Sequence, residues 1–224
     1  MEKTDPQLGE QVRNHLIKVG LETPMLYEKV AVKEDKKIKA IAKHFTLIME
    51  ELGLDLNDDS LMDTPNRVAK MYVREIFFGL DYNNFPKCTR IENKMGQNNS
   101  FVLERNVNVQ SNCEHHFVVI DGKATVAYIP KKTILGLSKL NRIVQFFSKR
   151  PQVQERLTEQ IAETISFITG SPDVAVYIDG VHYCVKSRGI QDTTSSTMTL
   201  ATRGVFAEEK SELRREFLNS ARMR

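Results

Sequence analysis

Little in this chain of 224 residues points toward a membrane or a nucleic acid. No apolar run approaches the roughly 18 residues that a membrane-spanning helix needs, which excludes that class. The opening stretch MEKTDPQLGEQVRNHL lacks the apolar region of a secretory signal. Only three cysteines are present, too few for a disulfide framework, so a reduced, cytoplasmic setting is expected. A formal net charge of +3 is too small an excess to argue for a nucleic-acid partner. No internal repeat is found. What remains, 27% charged and 41% hydrophobic residues, is ordinary for a globular protein long enough for one good core plus a helical extension.

The first ninety or so residues read as helical. Residues 7–20 form a short amphipathic stretch ending at Gly20. Over 35–53, Ile38, Ile41, Ala42, Phe45, Ile48 and Met49 recur at helical spacing, stopped at Gly53. Thr64-Pro65 predicts an N-cap followed by proline in the first turn, with Val68, Met71, Tyr72 and Ile76 leading to Gly79. The run Asn93–Asn99 is the best boundary, dividing a helical region 1–95 from a second region 96–224. Beyond it, 101–109 reads as a strand, and 117–120, Asp121-Gly122 and 123–129 as a hairpin with a two-residue turn. Gly136-Leu137-Ser138 opens a helix to about Lys149, and Pro151 another to about Thr169. Residues 174–185 and 196–206 are strand-like, and Asp179-Gly180 is either a second turn or a kink in one strand. Leu213, Phe217 and Ala221 share a helical face in the tail. Strands grouped around a pair of helices predict an α+β fold with an antiparallel sheet.

Thiols and imidazoles cluster in two places. Cys113-Glu114-His115-His116 is answered downstream by His182-Tyr183-Cys184. These are the side chains zinc prefers. Cys113 and His116 stand three apart, a spacing one tight turn can fold around a metal. His182 and Cys184, read as strand residues two apart, share a face. Three protein ligands with a fourth position for water are the pattern of a catalytic rather than a closed structural zinc site. The remaining two histidines are candidates for proton transfer, and spacing does not choose between His115 and His116 as ligand. Cys88 reads as an unpaired residue with no role.

A second constellation suits an anion. Ser138, Lys139 and Arg142 lie at the start of a predicted helix, where free N–H groups and the positive dipole end favour phosphate, and Arg188 lies just past Cys184. Gln154 and Glu155 stand in the first turn of the next helix. A carboxylate there can accept two parallel N–H bonds, as the edge of guanine offers. Gln152, Glu159 and Gln160 look equally eligible by type.

Five segments together closely resemble the GTP cyclohydrolase I family. They are Cys113–His116, the run 136–142, the run Arg150–Leu157, Val181–Gly189 and Asp58–Tyr72, with Val126–Pro130 in support. The resemblance runs from about residue 20 to the C-terminus. It implies a tunnelling fold, an antiparallel sheet backed by two helices, with subunit sheets joined into a barrel. It also implies a homodecamer of two stacked pentameric rings, with sites at subunit interfaces. By the same resemblance, residues 174–185 form one strand. The implied zinc ligands are Cys113, His116 and Cys184, and the acid–base groups are His115 and His182. Glu155 and Gln154 would read guanine. Ser138, Lys139, Arg142 and Arg188 would hold the triphosphate, with Arg67 and Lys70 from a neighbouring subunit. The implied reaction is zinc-dependent hydrolysis and ring expansion of GTP to 7,8-dihydroneopterin triphosphate with release of formate. The Cys/His/Cys set argues against relatives of the same fold that use three histidines or a nucleophilic cysteine without zinc.

Overall fold

Asp5 starts the first helix, its carboxylate accepting the Leu8 N–H at 3.0 Å, with Pro6 preset for the first turn. This helix, α1 (Pro6–Lys18), buries Gly9, Val12 and Leu16 along one stripe. Gly9 is required there because a Cβ would lie 2.3 Å from the Tyr82 carbonyl. A short helical turn, α2 (Tyr27–Val30), precedes α3 (Glu34–Glu51) and α4 (Thr64–Met71). Thr64 is the first residue of α4 and Asp63 stands outside it, so the predicted cap lies one residue too late. The helix then continues as a π-helical turn, Tyr72–Ile76. The computed structural model describes residues 4–95 and 100–223, so the predicted boundary at Asn93–Asn99 lies partly outside the described residues.

Two sheets follow. Short strands β1 (Arg90–Glu92) and β4 (Thr133–Leu135) pair with each other. The main sheet contains β2 (Val102–Cys113), β3 (Val119–Tyr128), β5 (Pro151–Gln152), β6 (Val174–His182) and β7 (Thr197–Thr202) in the order β5-β2-β3-β6-β7. All its pairings are antiparallel except β2 with β5. Helices α5 (Leu137–Ser148) and α6 (Gln154–Thr169) cover one face, placing Leu140, Ile143, Val144, Phe147, Leu157 and Ile161 over it. Each such side chain contributes about 1.5–3 kcal/mol by burial. Alternate residues of β6 serve opposite faces. Val174, Val176 and Ile178 meet the helices, whereas Ala175 and Tyr177 meet Phe206 and the C-terminal helix α8 (Glu212–Arg222) through Phe217. Arg150 is 0% exposed, paired with Glu22 at 3.1 Å and stacked against Tyr82, Phe146 and Phe147. It ties the N-terminal helices to this core. The result is the expected α+β class.

Several expectations need correction. The Asp121-Gly122 pair is no turn, because β3 runs straight through it and Gly122 stands opposite Gly180. A Cβ on Gly122 would lie 2.5 Å from the Asp179 carbonyl, so glycine here serves close strand approach rather than chain reversal. The reversal occurs instead between Cys113 and Val119, with β2 extending well past residue 109. Strand β6 likewise passes through Asp179-Gly180 without turning. It ends at His182, however, and Tyr183–Lys186 form the helical turn α7. Pro151 opens no helix. It lies in β5, and α6 begins at Gln154. Strand β7 stops at Thr202, before a 3-10 turn at Gly204–Phe206.

Candidate active site

The tight reversal after β2 builds the first half of the site. Cys113 donates its N–H to the Val118 carbonyl and accepts the Phe117 N–H, both at 2.8 Å. Phe117 takes a left-handed φ of 53° and is gripped edge-on by Tyr72 and Phe77. This conformation is costly for an aromatic residue and persists because the surrounding packing holds it. The second half comes from α7. Its helical turn, not a shared strand face, carries the Cys184 thiol toward Cys113, which corrects the geometric reason for pairing His182 with Cys184. Side-chain donors of Cys113, His116 and Cys184 all lie within 4.8 Å of one another. The edges of a tetrahedral zinc site are about 3.3–3.8 Å, so small side-chain rotations would seat the ion. Cys113 is buried, Cys184 half-buried and His116 exposed, which leaves one side open to solvent. Two thiols and an imidazole around an open position fit zinc of the catalytic type.

His115 rests its Nδ1 3.6 Å from the Cys113 sulfur but stands outside the mutual group of three. His116 turns its Nδ1 toward the same sulfur at 4.0 Å, and Arg188 donates to its Nε2 at 2.9 Å. A neutral imidazole has one acceptor, and guanidinium has none. Ligation through either ring nitrogen therefore breaks this bond and frees Arg188. His182 faces Gln154 Oε1 at 2.9 Å, and burial pulls its pKa down against the opposing charge of Glu155. Burial against Cys113 pushes the Cys184 thiol up. Cys88, away from the site, is buried, its thiol raised to about 12 by burial.

The structure sorts the polar residues of β5 and α6. Gln152 and Gln160 are buried and bonded to each other at 2.8 Å, and Glu159 pairs with Arg203 at 2.9 Å. Gln154 is 1% exposed. Its amide nitrogen is engaged by the Ile178 and Thr197 carbonyls and the Thr199 hydroxyl. Glu155 alone of the five is exposed with no hydrogen bond or ion pair among the described residues.

The basic turn sits elsewhere. Strand β2 starts opposite Tyr128 and ends beside Val119 and Gln152. The start of α5 belongs to the first end, since the Leu135 N–H meets Tyr128 Oη at 2.8 Å and Asn141 reaches Glu104 at 3.1 Å. Its other end leads through β5 to Cys113. At about 1.5 Å per residue, about 15 Å of helix separates Ser138, and about 9 Å separates Arg142, from the end of α5 at Ser148 that leads to Cys113. Ser138 and Lys139 thus lie at the opposite end of α5 from the one that leads to Cys113 in the same protomer. Arg67 and Lys70 are exposed on α4, Arg67 lying 3.8 Å from Asp63.

Sequence reasoning also missed a network behind the turn. Arg156 pairs with Glu114, and its Nε donates to Gln152 Oε1 at 3.2 Å. The four-residue spacing of Gln152 and Arg156 across a helix start was the available signal.

A layered α+β core that delivers two thiols and an imidazole to one open point defines a metalloenzyme of the catalytic-zinc type. Residues 41–222 match the family model described as GTP cyclohydrolase I. The chain is 56% identical over 220 residues to "GTP cyclohydrolase 1" of Enterobacter sp. (strain 638), covering 97% of this chain and 98% of that one. It is 55% identical over 213 residues to the protein of the same name from Erwinia tasmaniensis, covering 95% and 96%. This chain belongs to the GTP cyclohydrolase I family. A solved structure titled as an archaeosine synthase QueF-Like in the apo form overlaps 47% of this chain and 94% of its own at 20% identity, with a TM-score of 0.39.

Proposed function

We propose that this protein is a zinc-dependent enzyme that converts GTP to 7,8-dihydroneopterin triphosphate and formate, the first step of pterin and folate synthesis. The observation that carries this reading is the convergence of Cys113, His116 and Cys184 in a chain of this family. Zinc held by these three would supply Lewis-acid activation of water near neutral pH. His115 and His182 flank the cluster and move protons to and from the purine ring, as imidazoles do at working pH. Glu155 accepts N1–H and the exocyclic amine of guanine, while Gln154 holds His182 and lines the base pocket. Hydrolysis at C8 opens the imidazole ring, and a second hydrolysis releases C8 as formate. The ribose carbons then rearrange and close the dihydropteridine ring with loss of water. Ser138, Lys139, Arg142 and Arg188, with Arg67 and Lys70, bind the triphosphate and convert binding energy into positioning of C8. Purified zinc-loaded protein incubated with GTP tests this through formate and a pterin chromophore. The absence of both rejects it.

The site is composite in this reading. The place of Ser138 and Lys139 at the end of α5 away from the cluster supports phosphate groups being supplied by one subunit to the cluster of another. A tunnelling fold with sheets joined into a barrel, in a decamer of two stacked pentamers, provides such neighbours. Met198 and Leu200 are exposed on the outer strand β7, and Ile48 and Leu52 at the end of α3, which supports their being covered in the assembly. Residues 96–224 form the catalytic region and 1–95 the helical region that supplies Arg67 and Lys70. No helix among the described residues is long and apolar enough to cross a membrane. The three cysteines are free, which supports a cytoplasmic location.

Two results are expected. Mixing Lys139→Ala chains with Cys184→Ser chains by subunit exchange restores about one quarter of wild-type turnover, the fraction of intact sites under random assembly. Activity no higher than the parents' would place both groups in one protomer's site. Glu155→Gln presents a donor to guanine N–H groups, and discrimination for GTP over ITP falls by 10-fold or more, on the order of 1–3 kcal/mol. Unchanged ratios of kcat/KM would remove Glu155 from the base pocket.

A further inference from the structure

We propose that Glu114 and Arg156 are a positioning pair that aims His115, affecting turnover without touching substrate. This rests on the cyclohydrolase reading above and adds two residues to it. Glu114 lies between the Cys113 ligand and the two histidines. One carboxylate oxygen, Oε2, is bonded to Arg156 Nη2, and the other stands 4.0 Å from His115 Nε2. The carboxylate therefore stands between a fixed cation and the imidazole.

The cation is held from behind. Arg156, with a side chain 17% exposed, donates through Nε to Gln152 Oε1 at 3.2 Å. Gln152 in turn receives the Glu114 N–H on its main-chain carbonyl at 3.0 Å. One residue thus grips Glu114 by the backbone and Arg156 by the side chain. Gln152 cannot swing, since its amide nitrogen donates to the Phe147 carbonyl at 3.0 Å and to Gln160 Oε1 at 2.8 Å. Gln160 is anchored at its own amide by the Leu21 carbonyl at 2.7 Å. The bonds run unbroken from the buried core to the turn that carries His115.

His115 itself has little else to fix it. Its side chain is 63% exposed, and its Nδ1 meets only the Cys113 sulfur. Once that thiol ligates a metal, the Glu114 carboxylate is the anion left within reach of the ring. A mobile imidazole is a poor proton donor because the bond being broken demands a defined direction. Outer partners that orient a metal ligand cost roughly 10–100-fold when removed, and a loss of that order is expected for one that orients a proton donor.

The test compares zinc-loaded wild type with Arg156→Met, Arg156→Lys and Glu114→Gln. Each is measured for zinc content, thermal midpoint, and kcat and KM for GTP. Arg156→Met and Glu114→Gln are expected to keep zinc and KM while kcat falls roughly 10–100-fold. Arg156→Lys, which keeps the charge but loses the Nε bond to Gln152, is expected to recover part of the loss. In a His115→Ala background Arg156→Met has no further effect on the residual rate, because the residue it acts through is gone. Unchanged kcat in Arg156→Met or Glu114→Gln overturns the proposal. So does a fall in kcat that tracks lost zinc or lost folding in all three variants, or one that persists undiminished without His115. A silent wild type would instead overturn the cyclohydrolase reading, and this inference with it.

Discussion

Replacing Cys184 with serine is expected to strip zinc and abolish formate production together. Cys184 reaches the cluster from α7, the element farthest along the chain of those that build it, and it is one of only two thiols within the 4.8 Å group. A serine hydroxyl does not ionise near neutral pH, whereas a thiol loses its proton to bind zinc. Two donors from one turn, Cys113 and His116, do not hold a catalytic ion. The loss in zinc affinity is expected to exceed the roughly 10–100-fold that removal of an outer partner costs. Metal analysis of the purified variant beside the formate assay measures both. A variant with full zinc would remove Cys184 from the ligand set. One with no zinc but full turnover would remove zinc from the chemistry.

His115→Ala is expected to separate the two quantities. His115 touches Cys113 but lies outside the three mutually close donors, so its removal leaves the ligands intact. Turnover is expected to fall by about 10²–10⁴-fold, the contribution of a general acid–base group. Zinc stays near one equivalent per chain, and KM for GTP changes little. Loss of zinc in this variant would hand the ligand role to His115 and leave His116, with Arg188 on its outer nitrogen, for proton transfer. The two variants together test Cys184 as a ligand and divide the two histidines of the Cys113–His116 turn between metal binding and proton transfer.

Much of this architecture was legible in the residues because it follows from local periodicity. The apolar spacing along α3, α5 and α6 identifies helices whether or not their partners are known. The Asp121-Gly122 pair misled for a definite reason, and Asp179-Gly180 stayed open on periodicity alone for a related one. Asp-Gly marks a turn when glycine is needed for its backbone, but Gly122 is needed for close approach of the adjacent strand, and at Gly180 a Cβ would lie 2.7 Å from Gln154 Oε1 of α6. Cys113, a histidine of the Cys113–His116 run and Cys184 were also legible as a metal cluster by residue type, but only up to the choice between His115 and His116, which the family resemblance made, and the strand face invoked for Cys184 proved to be a helical turn. Gln152 and Gln160 were indistinguishable from Gln154 and Glu155 by composition. They separated only when burial placed the first two inside the core and left Glu155 in solvent.

From its residues alone the chain determined the main helices, the thiols and imidazoles from which the metal cluster is drawn, and the family it resembles, because these depend on side-chain chemistry and on neighbours a few positions away. Which end of the sheet each group occupies was decided only by tertiary structure. Ser138 and Cys113 lie close in sequence, yet α5 runs its full length between their two ends of the sheet. Helical periodicity describes a face and not a direction of packing. The tie from Arg156 through Glu114 to the histidine turn likewise exists only once β5 lies beside the end of β2.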